Sequence, residues 1–167
     1  MSAPISVIIP TLDAAGSLPA TLLSLMEGLD AGLICEVVVS DGGSQDATNI
    51  IAAAWGAEVI EGPASRGGQL RRGVVASRGK WVLALHADTV LQEGWSVEVK
   101  DRMHGGPLCF SLAYRAPGMA AKLVAAWANL RTDAMRLPYG DQGLLVRRKD
   151  YDIAGGYPEQ PLMEDVA

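Results

Sequence analysis

Three short apolar runs, each breaking into a polar group that contains an aspartate, punctuate the amino-terminal half of the chain. The first is Ile5-Ser6-Val7-Ile8-Ile9, followed by Pro10-Thr11-Leu12-Asp13. The second, Glu36-Val37-Val38-Val39-Ser40, leads into Asp41-Gly42-Gly43-Ser44, and a later one, Trp81-Val82-Leu83-Ala84-Leu85, into His86-Ala87-Asp88-Thr89. Short β-branched runs bounded by Pro, Gly, Asp and Ser predict strands buried on both faces. Between them the apolar spacing becomes helical. Residues 17–27 predict a helix with Leu18, Leu22, Leu23 and Met26 on one face, Ser17 as its N-cap and Pro19 in its opening turn. Ser44 is the predicted cap of a second helix, which runs through Ile50, Ile51 and Trp55 and stops at Gly56. A strand at 57–61, a helix at 68–77 and a strand at 80–85 follow. Farther on, 108–115 predicts a strand, and 117–131 a helix with Leu123, Val124, Trp127 and Leu130 on its apolar side; 138–148 predicts a loop and strand.

This βαβα order predicts an α/β fold with a mostly parallel central sheet flanked by helices. Parallel strands place their carboxyl ends along one edge, where open sheets bind ligands, so Asp13, Asp41 and Asp88 are expected to converge there. Asp88 is a hard oxygen donor suited to Mg²⁺ or Mn²⁺, although alone it could equally cap the turn near Gln92-Glu93.

At 167 residues, 49% hydrophobic and 20% charged, the chain can bury one sizeable core, and a single domain over 1–167 is expected. There is no apolar run long enough to cross a membrane and no amino-terminal export segment, which points to the cytoplasm. The apolar side of 117–131 reads as core, with peripheral contact to a membrane or a partner as its functional alternative. Cys35 and Cys109 each lie in apolar surroundings and read as core filler. A net charge of −5 argues against nucleic acid as a partner.

One local basic segment stands against that background: Ser65-Arg66-Gly67-Gly68-Gln69-Leu70-Arg71-Arg72-Gly73, at the entrance to a helix. Its glycines permit close backbone approach, and Arg66, Arg71 and Arg72 could neutralise phosphates; a solvated basic helix face is the plain alternative. The segment lacks the Gly-Lys-Ser/Thr ending of a P-loop, and no Gly-x-Gly-x-x-Gly follows the first strand.

Taken in order, these pieces resemble the family 2 glycosyltransferases of GT-A fold, which use nucleotide-sugar donors. The resemblance rests on residues 6–13 and 36–48, Arg66-Gly67, His86-Ala87-Asp88 in place of Asp-x-Asp, and Gly155-Gly156-Tyr157 leading to Met163-Glu164-Asp165. It implies that Pro10, Thr11 and Asp13 hold the nucleotide and that Asp41 reads the base, where a carboxylate can accept the ring N–H of uracil. It also implies that Arg66 faces the nucleotide or its diphosphate, that Ala87 and Asp88 contact the donor, and that Asp88 binds the divalent metal. Here the first acid of Asp-x-Asp is His86, which can ligate Mn²⁺, contact ribose or support the loop.

Asp165 matches the general base that deprotonates the acceptor hydroxyl in inverting transfer, with Glu164 beside it. Asp141 and Gln142 could enter the acceptor pocket or simply make a turn. The nucleotide half is expected over 1–104 and the acceptor half over 105–167, the latter cut short because the chain stops at Ala167. The expected donor is a nucleotide-sugar, a UDP-sugar before a GDP-sugar, and the acceptor a sugar, lipid or small molecule. The alternatives are a non-catalytic nucleotide-sugar binding module and a sugar-1-phosphate nucleotidyltransferase. The latter usually carries a Gly-rich basic loop where this chain has Pro10-Thr11-Leu12-Asp13.

Overall fold

The computed structural model describes residues 3–111 and 143–157. Strands β1 (Ile5–Thr11), β2 (Ile34–Asp41), β3 (Glu58–Glu61), β4 (Trp81–Ala84), β5 (Leu108–Cys109) and β6 (Leu144–Arg147) form one sheet in the order β3-β2-β1-β4-β6-β5. The first four are parallel, and β6 returns antiparallel to β4 and β5. Register sets Thr11 beside Asp41, Asp41 beside Glu61, and Ile8 beside Ala84, which aligns the carboxyl ends of the parallel strands. Leu144 pairs with Ala84, so β6 begins at this same edge. β1, at the centre, is buried nearly throughout, whereas the edge strand β3 is half exposed.

Helices α1 (Leu18–Asp30), α2 (Thr48–Ala54), α3 (Arg66–Ala76), α4 (Trp95–Arg102) and α5 (Arg148–Ile153) cover the sheet. Alternation along β1 divides the core: Ile5, Val7 and Ile9 pack with Leu18, Leu22 and Leu25 of α1 and Trp95 and Val99 of α4. Ile8 joins Leu70 and Val74 of α3. No described helix is long and apolar enough to cross a membrane.

Three local expectations need correction. α1 buries Leu18, Thr21, Leu22, Leu25 and Gly28, while Leu23 and Met26 are 62% and 39% exposed. The helix is apolar around much of its girth, and its orientation is decided by Gly28, where a Cβ would stand 2.5 Å from the Trp95 ring, and by a polar contact at Thr21 described below. Ser17 occupies the N-cap position, but its hydroxyl donates to the Ala14 carbonyl instead of accepting from the helix. Ser44 does not cap α2: Ala47 holds the N-cap position without a side-chain cap bond, and Asp46 just before it accepts from the backbone N–H and hydroxyl of Thr48. Among the later elements, β5 is shorter than the strand expected over 108–115, and the helix expected over 117–131 lies outside the described residues.

The opposite edge is closed by Arg148, whose guanidinium donates to the carbonyls of Gly79 (2.8 Å) and Val74 (2.9 Å) and to the Ser77 hydroxyl (2.7 Å). The Val74 carbonyl also accepts from the backbone N–H and hydroxyl of Ser77, so Arg148 joins the bonds that already close the end of α3. The axis of α3 comes so near β1 that a Cβ at Gly73 would lie 2.3 Å from Ile8 Cγ2. Gly73→Ala is therefore expected to lower stability by about 1–3 kcal/mol through overpacking, despite the better helix propensity of alanine. A lower urea midpoint at unchanged slope checks this, and an equal or higher midpoint contradicts it.

Candidate functional site

The loops after β1 and β2 are joined through one carboxylate. Asp41 is fully buried. Its Oδ1 accepts from Thr11 Oγ1 at 2.9 Å and from the Ser44 hydroxyl, and its Oδ2 accepts from the backbone N–H groups of Gly43 (2.8 Å) and Ser44 (2.7 Å). Burial alone would raise its pKa, but the bonds from Ser44, Thr11 and Gly43 outweigh it and hold the carboxyl below its ordinary value. Ser44 Oγ in turn accepts from the Asp13 N–H at 2.8 Å, and Asp13 Oδ1 accepts from the Gln45 N–H at 2.7 Å. Asp13 takes a φ of 49°, in the left-handed region that Asp tolerates better than most residues. The turn it makes brings Leu12, Asp13 and Ala14 to the wall of a cleft.

That cleft, of about 290 Å³, lies beyond the carboxyl ends of β1 and β4 and is lined on one side by Pro10, Thr11, Asp13 and Ser17 and on the other by Arg66, Gln69, His86 and Asp88. Arg66 opens α3, where Ser65 caps the helix by accepting from Gly68 N–H. Its Nη2 lies 3.3 Å from His86 Nδ1. Gln69, one turn along, is buried and donates its amide to the carbonyls of Thr11 (2.7 Å) and Ser40 (2.8 Å), tying α3 to both strand ends.

The segment carrying Asp88 is held by a polar stripe on α1. Thr21 Oγ1 donates to the Ala87 carbonyl at 2.8 Å. Ser24 Oγ accepts from Leu91 N–H and the Ser24 carbonyl from Trp95 Nε1. Glu27 accepts from the backbone of Gly94 and Ser96, and its bonds to Ser96 and Gly94 hold its pKa below the ordinary value. Asp88 is exposed on the cleft wall. Among the described residues no group of three His, Cys, Asp or Glu is assembled to hold a metal. Asp13, whose Oδ1 is engaged by Gln45, is the other exposed acid of the lining; Asp88 on the cleft wall fits Mg²⁺ or Mn²⁺ when phosphate oxygens and water complete the coordination, and the two acids do not make a cage of protein alone.

Of the residues singled out in the sequence, Pro10, Thr11, Asp13, Arg66, Ala87 and Asp88 line this cleft. Asp41 sits behind it with both oxygens engaged, so a direct bond to a base would have to displace one of its present donors. Arg71 is exposed away from the lining, and Arg72 folds back on the chain, donating to the carbonyls of Pro63 and Asp41. The phosphate role expected of all three arginines thus narrows to Arg66. Asp141, Gln142, Glu164 and Asp165 lie outside the described residues. Gln69, Ser44 and Thr21 were not legible as site residues, because each acts on a partner remote in sequence and none breaks a local pattern.

The profile described as "Glycosyl transferase family 2" matches residues 6–134. Glucosyl-3-phosphoglycerate synthase of Mycolicibacterium paratuberculosis is 34% identical over 95 residues, covering 52% of this chain and 29% of that protein. The crystal structure of glucosyl-3-phosphoglycerate synthase from Mycobacterium tuberculosis, in complex with Mn²⁺, UDP and phosphoglyceric acid, aligns with a TM-score of 0.62 at 25% identity, over 88% of this chain and 56% of that one. S. aureus TarS 1-349 shares the fold with a TM-score of 0.68 at 19% identity, over 99% of this chain and 53% of that one. The chain spans less than two thirds of the length of each of these relatives. With its family profile matched over most of its length and its sheet edge built as described, the chain belongs to glycosyl transferase family 2 and has the GT-A fold.

Proposed function

We propose that the cleft takes the nucleotide diphosphate of a sugar donor, a UDP-sugar, and that the protein transfers the sugar to a hydroxyl of a small-molecule acceptor with inversion. The observation that carries this reading is that Arg66 and the exposed carboxylates Asp88 and Asp13 line one cleft at the carboxyl ends of parallel strands. Support comes from family membership and from the M. tuberculosis relative, whose complex holds Mn²⁺, UDP and a phosphorylated small molecule. Nothing favours a nucleotidyltransferase, since the loop after β1 carries Pro10-Thr11-Leu12-Asp13 and no basic glycine-rich segment.

In this reading residues 1–104 form the nucleotide half and 105–167 the acceptor half. Pro10, Thr11 and Asp13 flank the nucleoside, and Asp41 keeps that wall in shape through Thr11 and Ser44. Arg66 neutralises the diphosphate. Asp88 and the adjoining Ala87 segment hold Mg²⁺ or Mn²⁺, which when bound offsets the charge that develops on the departing diphosphate. Asp165 removes the proton of the acceptor hydroxyl, a weak nucleophile near neutral pH, and Glu164 supports it.

Asp88→Asn keeps the shape but removes the anionic oxygen, so it should weaken Mn²⁺-dependent UDP binding by at least about tenfold, the scale on which even outer-shell changes act. Calorimetric titration of UDP with and without Mn²⁺ reads this. If chelation by EDTA leaves UDP affinity unchanged, the metal assignment fails. Asp165→Asn should leave UDP affinity intact while transfer falls by about 10²–10⁴-fold, the contribution of a positioned base. Full transfer in that variant would remove the base assignment, and parallel loss of UDP binding would give Asp165 a place in the donor site instead.

A further inference from the structure

We infer that His86 is the positioning residue of Arg66 and not a ligand of the metal, an inference that rests on the nucleotide-diphosphate reading of the cleft. His86 closes β4: Leu85 N–H is bonded to the Ile8 carbonyl, Thr89 N–H returns to the His86 carbonyl, and the side chain is 6% exposed. Its ring is therefore held by surroundings that do not depend on a ligand. Arg66 Nη2 approaches Nδ1 at 3.3 Å. A guanidinium has donors only and keeps its proton in proteins, so in this contact Nδ1 is the acceptor and the ring proton resides on Nε2. A lone pair already receiving an N–H cannot also bind Mn²⁺, and the other nitrogen carries the proton.

The choice of imidazole has a physical consequence. Arginine loses much rotamer freedom when it is fixed, and fixing it before the ligand arrives lowers the cost of binding. A carboxylate at position 86 would fix Arg66 equally well but would neutralise it, leaving less attraction for a diphosphate. A neutral acceptor orients the guanidinium without itself neutralising it.

The test is a double-mutant cycle on UDP affinity, measured calorimetrically in excess Mn²⁺. Arg66→Ala should weaken UDP by about 10–100-fold, as expected for a lost charged hydrogen-bond partner. His86→Ala should weaken it less, and the double variant should be no weaker than Arg66→Ala alone. His86→Asn, whose amide oxygen can take the place of Nδ1 as acceptor, should restore most of the affinity. Mn²⁺ half-saturation at saturating UDP should be unchanged in His86→Ala. Losses that multiply in the double variant, or a Mn²⁺ half-saturation raised about tenfold or more, overturn the inference. Ring ¹⁵N shifts of His86 in the ligand-free protein, assigned against His86→Asn, provide a readout independent of nucleotide. An unprotonated Nδ1 supports the pairing and an Nδ1–H tautomer refutes it, whereas failure of the wild type to bind UDP refutes the donor-site reading alone.

Discussion

The carboxylate of Asp41 is the point on which the cleft edge of the sheet depends. A buried charge is tolerated only when donors replace the water it has lost, and the sequence around it supplies them from two loops at once. Thr11 reaches it from β1, while Gly43 and Ser44 wrap back onto it from the turn after β2. Because Ser44 also receives the Asp13 N–H, the left-handed turn that presents Asp13 to the cleft is joined to the same anion. The carboxyl is held below its ordinary pKa, so its contribution to stability is present at neutral pH. That contribution is lost as pH falls through the lowered value, when the proton displaces these donors.

The other wall is built on a different principle. α1 has few hydrogen bonds to spare for neighbouring chain, yet Thr21, Ser24 and Glu27, spaced three apart, hold the backbone that runs from Ala87 to Ser96. The segment bearing Asp88 is thus attached to a helix whose apolar side is fixed in the core, which leaves the carboxylate exposed but its backbone anchored. Gln69 ties α3 to β1 and β2 by donating to the carbonyls of Thr11, which also accepts from Gly42 N–H, and Ser40. Arg66, one turn before it, inherits that placement. A rigid frame with a few outward charged groups suits recognition of a diphosphate, since it limits the ordering that binding must still accomplish.

Much of this was legible in the chain because the strands are short, β-branched and ended by turn residues. The parallel order follows from alternation with helices, and with it the meeting of Asp13 and Asp88 at one edge. The interior face of α1 was not legible: Leu18, Leu22, Leu23, Leu25 and Met26 surround much of the helix, and only tertiary partners of Thr21 and Gly28 choose among them. Ser44 reads locally as a cap, and its actual partner is a buried acid whose burial cannot be seen in one sequence. Arg71 and Arg72 share the composition of a phosphate site, yet the helix turns one outward and folds the other back onto the carbonyl of Asp41. Periodicity locates elements, whereas long-range polar bonds decide which side chains face a ligand.

The proposed function seats nucleotide and metal together in the cleft beyond β1 and β4. It is tested most directly by paramagnetic broadening of backbone amide resonances when Mn²⁺ is added at low occupancy in the presence of UDP. Amides of residues 12–14 and 86–89 should broaden first, while those of α5 and of Gly79 at the opposite edge stay sharp. Broadening centred on the opposite edge, or the same pattern in an Asp88→Asn protein, would contradict it.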